Sequence, residues 1–277
     1  MRNIKLTICY DGSDFFGWQF QPGQPTIQGA LAEVAEKLTQ HRVQVFGAGR
    51  TDAGVHALGQ VAHFRTPSTL TAGDFKRAFN ALLPAAVRIL DAEEVGPDFH
   101  ARFQAIAKTY QYRIYRGPVL PPFERRYVLH DPFPLNVSAM AEAARLFEGE
   151  HDFTSWGAST GSEEGDKDRT PIREIFSSRL HSRTMGPVAG QGFLTQICTG
   201  EPAEDAGELL YVVRGKSFLR YMVRKIVGTL LDVGRGKLRV DEIPALFEMR
   251  DRSKSGPTVP PQGLYLASVE YSETWKW

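Results

Sequence analysis

The chain has 277 residues, of which 42 % are hydrophobic and 23 % charged, so it can bury a sizeable core and is not a disordered chain. Its net charge of +1 does not by itself indicate a nucleic-acid partner. The two cysteines, Cys9 and Cys198, are too few for a disulfide framework, and no apolar run reaches the roughly 20 residues that span a bilayer. We therefore expect a cytoplasmic protein without a membrane segment.

The first hundred residues alternate short strands and helices. Apolar residues at every second position predict strands, and apolar residues three or four positions apart predict helices. Thr26 can cap the first helix, and Pro84 ends the second. The predicted elements are a strand over 4–9, a helix over 27–38, strands over 42–46 and 59–65, a helix over 75–82 and a strand over 87–95. This β-α-β-β-α-β order is typical of ferredoxin-like folds.

The remainder of the chain fits the same pattern. Its predicted elements are strands over 108–115, 172–180, 208–214 and 264–271, a possible strand over 192–197, and helices over 138–147, 217–233 and 241–247. We expect an α+β protein of two ferredoxin-like or RRM-like halves, residues 1–104 and 105–277. They would form one extended, mixed, mostly antiparallel sheet with helices on one face. Segments near 158–168 and 199–207 are rich in Gly, Ser and acids and predict surface insertions.

A glycine-rich segment, residues 47–57, separates the two strands in the middle of the first half. It places a single carboxylate, Asp52, among glycines at positions 47, 49 and 54, which leave room for a bulky group to approach. Such a carboxylate can act as a nucleophile or a general base. The alternative is that Asp52 only caps a turn or a helix start.

Two further segments combine basic or aromatic residues with regular spacing. Lys108, Tyr110 and Tyr112 alternate along one strand and share a face, which suits stacking on a base, although tyrosines on a core strand are equally typical. In the helix over 217–233, Arg220 and Arg224 lie beside a broad apolar face. A half-buried arginine needs an anionic partner, whereas an arginine at the edge can reach solvent.

Charge is unevenly distributed along the second half. Residues 211–240 hold eight basic residues and one acid, and residues 141–170 hold eight acids and three bases. A basic segment of this kind permits a phosphate-binding surface, but a solvated helix face has the same composition.

Residues 49–57, which read GRTDAGVHA, resemble the signature of the tRNA pseudouridine synthase A family. Residues 108–113 (KTYQYR) and 222–228 (MVRKIVG) are similar to two further motifs of that family, and the segments 10–12 and 16–19 resemble its opening, where the role is mainly structural. The resemblance implies the pseudouridine synthase fold and the following roles: Asp52 as the nucleophile, Arg224 as its ionic partner, Tyr110 stacking on the target uracil, and Arg50 and Arg102 contacting RNA.

The resemblance also implies an activity. The chain would be a homodimeric isomerase that converts uridine to pseudouridine at positions 38, 39 and 40 of the tRNA anticodon stem-loop. No cofactor is expected: the loop lacks a phosphate-binding lysine–serine ending, and the spacing of His56, His63 and His100 is not that of a zinc site. Whether Asp52 attacks C6 or C1′, or removes a sugar proton, stays open.

Two other classes remain to be tested. A non-catalytic RNA-binding protein with two RRM-like halves would not need Asp52. A hydrolase with an aspartyl nucleophile would need a second acid or base close to Asp52.

Overall fold

The computed structural model describes residues 1–158, 170–183 and 207–272. Within these ranges the protein is α+β, with ten strands in a large, mixed, mostly antiparallel open sheet and five α-helices, so the predicted fold class is confirmed. The predicted insertions near 158–168 and 199–207, the possible strand over 192–197 and the C-terminal Trp275–Trp277 lie outside the described residues, apart from the end residues 158 and 207. None of the helices in the described ranges is long and apolar enough to cross a membrane.

The chain packs as two compact units. Met1–Thr109 and the chain from Tyr265 onward make the first unit, and Tyr110–Leu264 makes the second. The last strand thus packs with the first unit, because Tyr265 pairs in parallel register with His56. The sequence pattern instead predicts that all residues after 104 form a second half. The division into two related halves between residues 104 and 105 stays a prediction.

The first unit has the predicted β-α-β-β-α-β order. Its strands lie in the order β4-β1-β3-β10, with β2 paired to β3. The strand β1 runs antiparallel to both neighbours, and Leu6 faces Ala62 on one side and Ala92 on the other. The elements are β1 (Arg2–Tyr10), α1 (Ile27–Thr39), β2 (Phe46–Gly47), β3 (His56–Thr66), α2 (Ala72–Leu82), β4 (Val87–Val95), the start of β5 (Ala105–Tyr115), and β10 (Leu264–Tyr271).

Local chemistry accounts for these elements. Ile4, Leu6 and Ile8 are fully buried, as the alternation in β1 predicts. The Thr26 side chain accepts a hydrogen bond from the Gly29 backbone N–H and caps α1, as expected. A capping box between Thr71 and the third residue of α2 fixes the start of that helix.

The predicted strand over 42–46 is wrong except at its last residue. Val43 and Val45 are buried as the alternation indicates, but their backbone groups bond to side chains of α1 instead of a strand. Glu36 Oε1 accepts a hydrogen bond from the Val43 N–H, and Gln28 Nε2 donates to the Val45 carbonyl at 2.9 Å. Side-chain partners satisfy these groups, so no second strand is needed.

The second unit places its strands in the order β5-β9-β8-β7, with β6 paired to β5. Four fully or largely buried aromatic side chains, Phe147, Phe153, Trp156 and Phe247, pack together in its core. Its further elements are β6 (Leu129–His130), α3 (Val137–Arg145), β7 (Gly149–Asp152), β8 (Ile172–Arg183), β9 (Glu208–Gly215), α4 (Met222–Gly234) and α5 (Ile243–Met249).

The helix predicted over 217–233 begins five residues late, at Met222. Tyr221, its N-cap, has a φ of 64° and lies in the left-handed region, which interrupts the helical path. The residues before Tyr221 therefore lie outside α4, and the Phe218 ring packs against Tyr110 on β5. The apolar face of α4 itself is buried as predicted, and a Cβ at Gly228 would collide with the Pro257 carbonyl oxygen.

Candidate active site

Asp52 lies half-buried on the loop that joins β2 to β3 in the first unit. The Val55 N–H donates a hydrogen bond to the Asp52 carbonyl at 3.1 Å, which closes a tight turn directly after the carboxylate. Gly54 has a φ of 76°, a conformation that side-chain-bearing residues rarely adopt, so glycine is needed in this turn. The backbone that carries Asp52 is therefore fixed locally.

The segment between β1 and α1 braces this loop from outside. The Trp18 N–H donates to the Thr51 carbonyl at 3.0 Å, and the Gly54 N–H donates to the Phe15 carbonyl at 3.3 Å. A Cβ at Gly17 would lie 2.5 Å from the Thr51 carbonyl oxygen, so glycine permits the close approach of the two segments. The mainly structural role expected for this opening segment agrees with these contacts.

A buried hydrogen-bond network supports the residue before Asp52. The hydroxyls of Tyr10 and Thr51 share a hydrogen bond of 2.8 Å, and both side chains are more than 90 % buried. Gln60 Nε2 donates to the Gly49 carbonyl at 2.9 Å and so holds the start of the same loop. Burial raises the pKa of Tyr10 to about 12, so its hydroxyl stays neutral and can donate or accept.

His56 ties the end of the loop to the same opening segment. The Gly12 N–H donates to His56 Nδ1 at 3.1 Å, and Asp11 Oδ1 lies 3.2 Å from that nitrogen. The imidazole is buried and stacks on Tyr265 with ring centroids 4.8 Å apart. Over the part of the chain that the structure describes, no cluster of three or more His, Cys, Asp or Glu side chains is arranged to hold a metal.

The first unit also contains the two arginines expected to contact RNA. Arg50 is exposed and lies two residues before Asp52 on the same loop. Arg102 is half-buried on the segment that follows β4, and its N–H donates to His100 Nδ1 at 3.2 Å.

The second unit holds the other two predicted residues. Tyr110, on β5, is buried, and its ring meets Phe218 edge-to-face at 4.9 Å between centroids. Arg224, in the first turn of α4, donates from Nε to the Val259 carbonyl at 2.7 Å, and its guanidinium carbon lies 5.3 Å from the centroid of the Tyr221 ring. These contacts fix the direction of the guanidinium.

Arg224 lies near the tyrosine two positions after Tyr110. The Tyr112 hydroxyl donates to the Pro260 carbonyl at 2.7 Å, next to the carbonyl that Arg224 binds. Burial raises the pKa of Tyr112, and the positive charge of Arg224 opposes part of that increase. The structure therefore brings the second and third sequence motifs together through the 259–260 backbone.

The basic segment over 211–240 is not one continuous exposed surface. Arg235 pairs with Asp131, and Arg239 pairs with Asp241. Lys225 is buried and donates to the Arg252 carbonyl at 2.7 Å, and burial lowers its pKa. Part of the positive charge counted in the sequence is thus neutralised or covered within the second unit.

Sequence reasoning missed the residues that support the site. The Tyr10–Thr51 hydrogen bond and the contacts of His56 carry no recognisable spacing, because their partners are about 40 residues apart in the chain. One available signal was the pair of glycines at positions 12 and 17, which indicates close backbone approach without naming the partner.

Comparison with known proteins identifies the class to which this fold and loop belong. The profile of the tRNA pseudouridine synthase family matches residues 7–104 and 143–272, most of the chain, and the chain belongs to that family. Named relatives are tRNA pseudouridine synthase A of Solibacter usitatus, 46 % identical over 98 % of this chain and 100 % of the relative, and tRNA pseudouridine synthase A 1 of Desulfotalea psychrophila, 42 % identical over the same shares. Another, from a Geobacillus species, is 42 % identical over 98 % of each chain. The family and the enzyme class predicted from the sequence are confirmed.

Proposed function

We propose that this protein isomerises uridine to pseudouridine in tRNA, at positions 38, 39 and 40 of the anticodon stem-loop, with Asp52 as the nucleophile. Family membership supports the reaction class. The observation that carries the role of Asp52 is the loop itself: a half-buried carboxylate on a backbone that is held from three sides, by the opening segment, by Tyr10 and by His56. Preorganisation of this kind is what a reacting group requires.

The reaction needs few protein groups. The bond from C1′ to N1 breaks, the uracil rotates, and a bond from C1′ to C5 forms while the proton on C5 is lost and N1 gains one. No atom of another reactant is incorporated, so an ionised carboxylate, a surface that holds the free uracil and a route for one proton are sufficient.

The other site residues have roles that follow their motifs. Tyr110 stacks on the target uracil, with its ring plane set by Phe218. Arg224 offsets the negative charge of Asp52, and Arg50 and Arg102 contact the RNA backbone near the target nucleotide. The target base is stacked in the stem and must be flipped out, at a cost of a few kcal/mol that stacking on Tyr110 partly offsets.

The proposal includes the working form of the enzyme. A tRNA is large relative to one chain of 277 residues, so a homodimer would present a wider binding surface. Because unmodified tRNA is the substrate, we place the protein in the cytoplasm.

The test is release of tritium from tRNA that carries uridine labelled at C5. We expect release by the wild type, none by Asp52→Asn, and the same gel shift of tRNA with both. Asp91→Asn, at an exposed aspartate of β4, is the matched control and should release tritium at the wild-type rate.

Two outcomes would contradict the proposal. Tight tRNA binding without release by the wild type indicates a non-catalytic RNA-binding protein. Tritium release that persists in Asp52→Asn would contradict the role of Asp52 as the nucleophile but would still agree with the reaction class.

A further inference from the structure

The segment between β4 and β5 presents an aromatic ring to solvent. Phe103 is 73 % exposed, and its ring lies against His100 with centroids 4.2 Å apart and planes 34° apart. An exposed aromatic ring offers a flat apolar face on which a planar group can pack.

The ring stands on a stack of other rings in the first unit. His100 packs on His63 at 4.7 Å, and both imidazoles pack on Phe46, at 5.3 and 5.1 Å between centroids. Burial lowers the pKa of His63 to about 4, so this imidazole is uncharged at neutral pH. The exposed Phe103 ring is thus the outermost of four aromatic side chains that pack on one another.

Hydrogen bonds hold the backbone beneath Phe103. The Ala101 N–H donates to His63 Nδ1 at 3.2 Å, and the Tyr271 hydroxyl donates to the Ala101 carbonyl at 2.7 Å. Asn3 Nδ2 donates to the Phe99 carbonyl at 2.9 Å. The segment is therefore ordered before any ligand arrives, which reduces the entropic cost of binding.

Two arginines flank the same segment. Arg102 precedes Phe103, and Arg65, an exposed residue of β3, donates from its guanidinium to the Pro97 carbonyl at 2.8 Å. Both charges act on His100, where they add to burial in lowering the pKa of its imidazole. The segment also contains one exposed acid, Asp98, against these two cations.

We propose that Phe103 is a stacking platform for a base of the tRNA other than the target uridine, with Arg65 and Arg102 binding the adjoining phosphates. An exposed aromatic ring on a segment flanked by basic side chains is a combination by which proteins hold unstacked nucleotides. The ligand is a single-stranded or loop nucleotide, since the faces of a base within a stem are covered by the neighbouring base pairs. The inference rests on the proposed function, because it takes tRNA as the partner.

The test compares variants at one position. Phe103→Ala and Phe103→Leu remove the ring, and Phe103→Trp keeps it. We expect the first two to weaken tRNA binding by about tenfold, measured as Kd by filter binding and as KM, with kcat close to wild type. Phe103→Trp should bind like the wild type, and so should Phe133→Ala, which removes a phenylalanine that is 64 % exposed in the second unit. Thermal unfolding of each variant checks that it is folded.

Three outcomes would overturn the inference. Wild-type Kd in Phe103→Ala excludes a role in binding. Weak binding in Phe103→Ala with full binding in Phe103→Leu indicates apolar contact without stacking. A change in oligomeric state of Phe103→Ala, measured by light scattering, places the ring between copies of the chain. Tritium release by the wild type is scored separately, so loss of the proposed function and loss of the platform are distinguishable.

Discussion

The hydroxyl of Tyr10 is predicted to control the position of Asp52 through Thr51. Tyr10→Phe removes the hydroxyl and leaves Thr51 Oγ1, in a side chain only 7 % exposed, without its partner at 2.8 Å. An unsatisfied buried hydroxyl costs about 1–3 kcal/mol, so we expect the free energy of unfolding to decrease by that amount. Because Thr51 adjoins Asp52, kcat should decrease while KM for tRNA changes little.

A double-mutant cycle separates this hydrogen bond from loss of packing. Thr51→Val keeps the side-chain shape and removes the other hydroxyl. The double variant therefore lacks both hydroxyls, so neither is left buried without its hydrogen-bond partner. We expect the double variant to be destabilised by about 0.5–1.5 kcal/mol less than the sum of the single variants. Urea unfolding followed by Trp fluorescence measures stability, and single-turnover tritium release measures the chemical step. Tyr115→Phe, at a half-buried tyrosine of the second unit, is the control for a change of this type.

Two results would refute this reasoning. Strictly additive effects on stability would show that the two hydroxyls do not act as a pair. A normal kcat in Tyr10→Phe, despite the expected loss of stability, would show that the hydrogen bond is structural only and does not position the carboxylate.

Two further predictions concern packing and protonation. Gly228→Ala should lower the free energy of unfolding by about 1–3 kcal/mol, because the added Cβ would collide with the Pro257 carbonyl. Gly73→Ala, on an exposed turn of α2, should raise the free energy of unfolding by about 0.5–1 kcal/mol. Equal effects of the two substitutions in urea unfolding would contradict the packing of α4. The pKa of His63 is about 4 in the folded protein against an ordinary 6.5, so the unfolded chain binds the proton more tightly. The contribution of His63 to the free energy of unfolding is therefore fully present above pH 6.5. It decreases as the pH falls from 6.5 toward 4, by at most about 1.4 kcal/mol per pH unit. His63→Gln keeps an acceptor for the Ala101 N–H and should show a shallower slope in that window; an unchanged slope would exclude His63 as the titrating group.

Patterns that depend on neighbouring residues were sufficient to predict most elements. The strand β4 and the cap of α1 agree with their predicted positions, since burial alternation and capping are properties of adjacent residues. The start of α4 was wrong because an apolar period continues through Tyr221, whose left-handed backbone leaves no mark in the sequence. The segment over 42–46 was wrong for a related reason: alternation reveals which residues are buried but not whether a strand or a side chain bonds to them.

The same limit applies to the charged residues of the second unit. Composition counts eight basic residues over 211–240, but partners decide how many present charge to solvent. Arg235 bonds to Asp131, more than 100 residues away, and the buried Lys225 donates to the Arg252 carbonyl. Long-range pairing of this kind neutralises charge that a count along the sequence would leave on the surface.

Support for the loop that carries Asp52 likewise extends beyond the family signature. Gly12 and Gly17 lie more than 30 residues before Asp52, yet a Cβ at Gly12 would collide with the Val55 carbonyl, and one at Gly17 would press on the Thr51 carbonyl. Because these are backbone atoms on both sides of Asp52, they cannot yield as a flexible side chain could. An alanine at Gly17 would therefore have to displace the carboxylate-bearing turn itself, so the opening segment is part of the framework that positions Asp52.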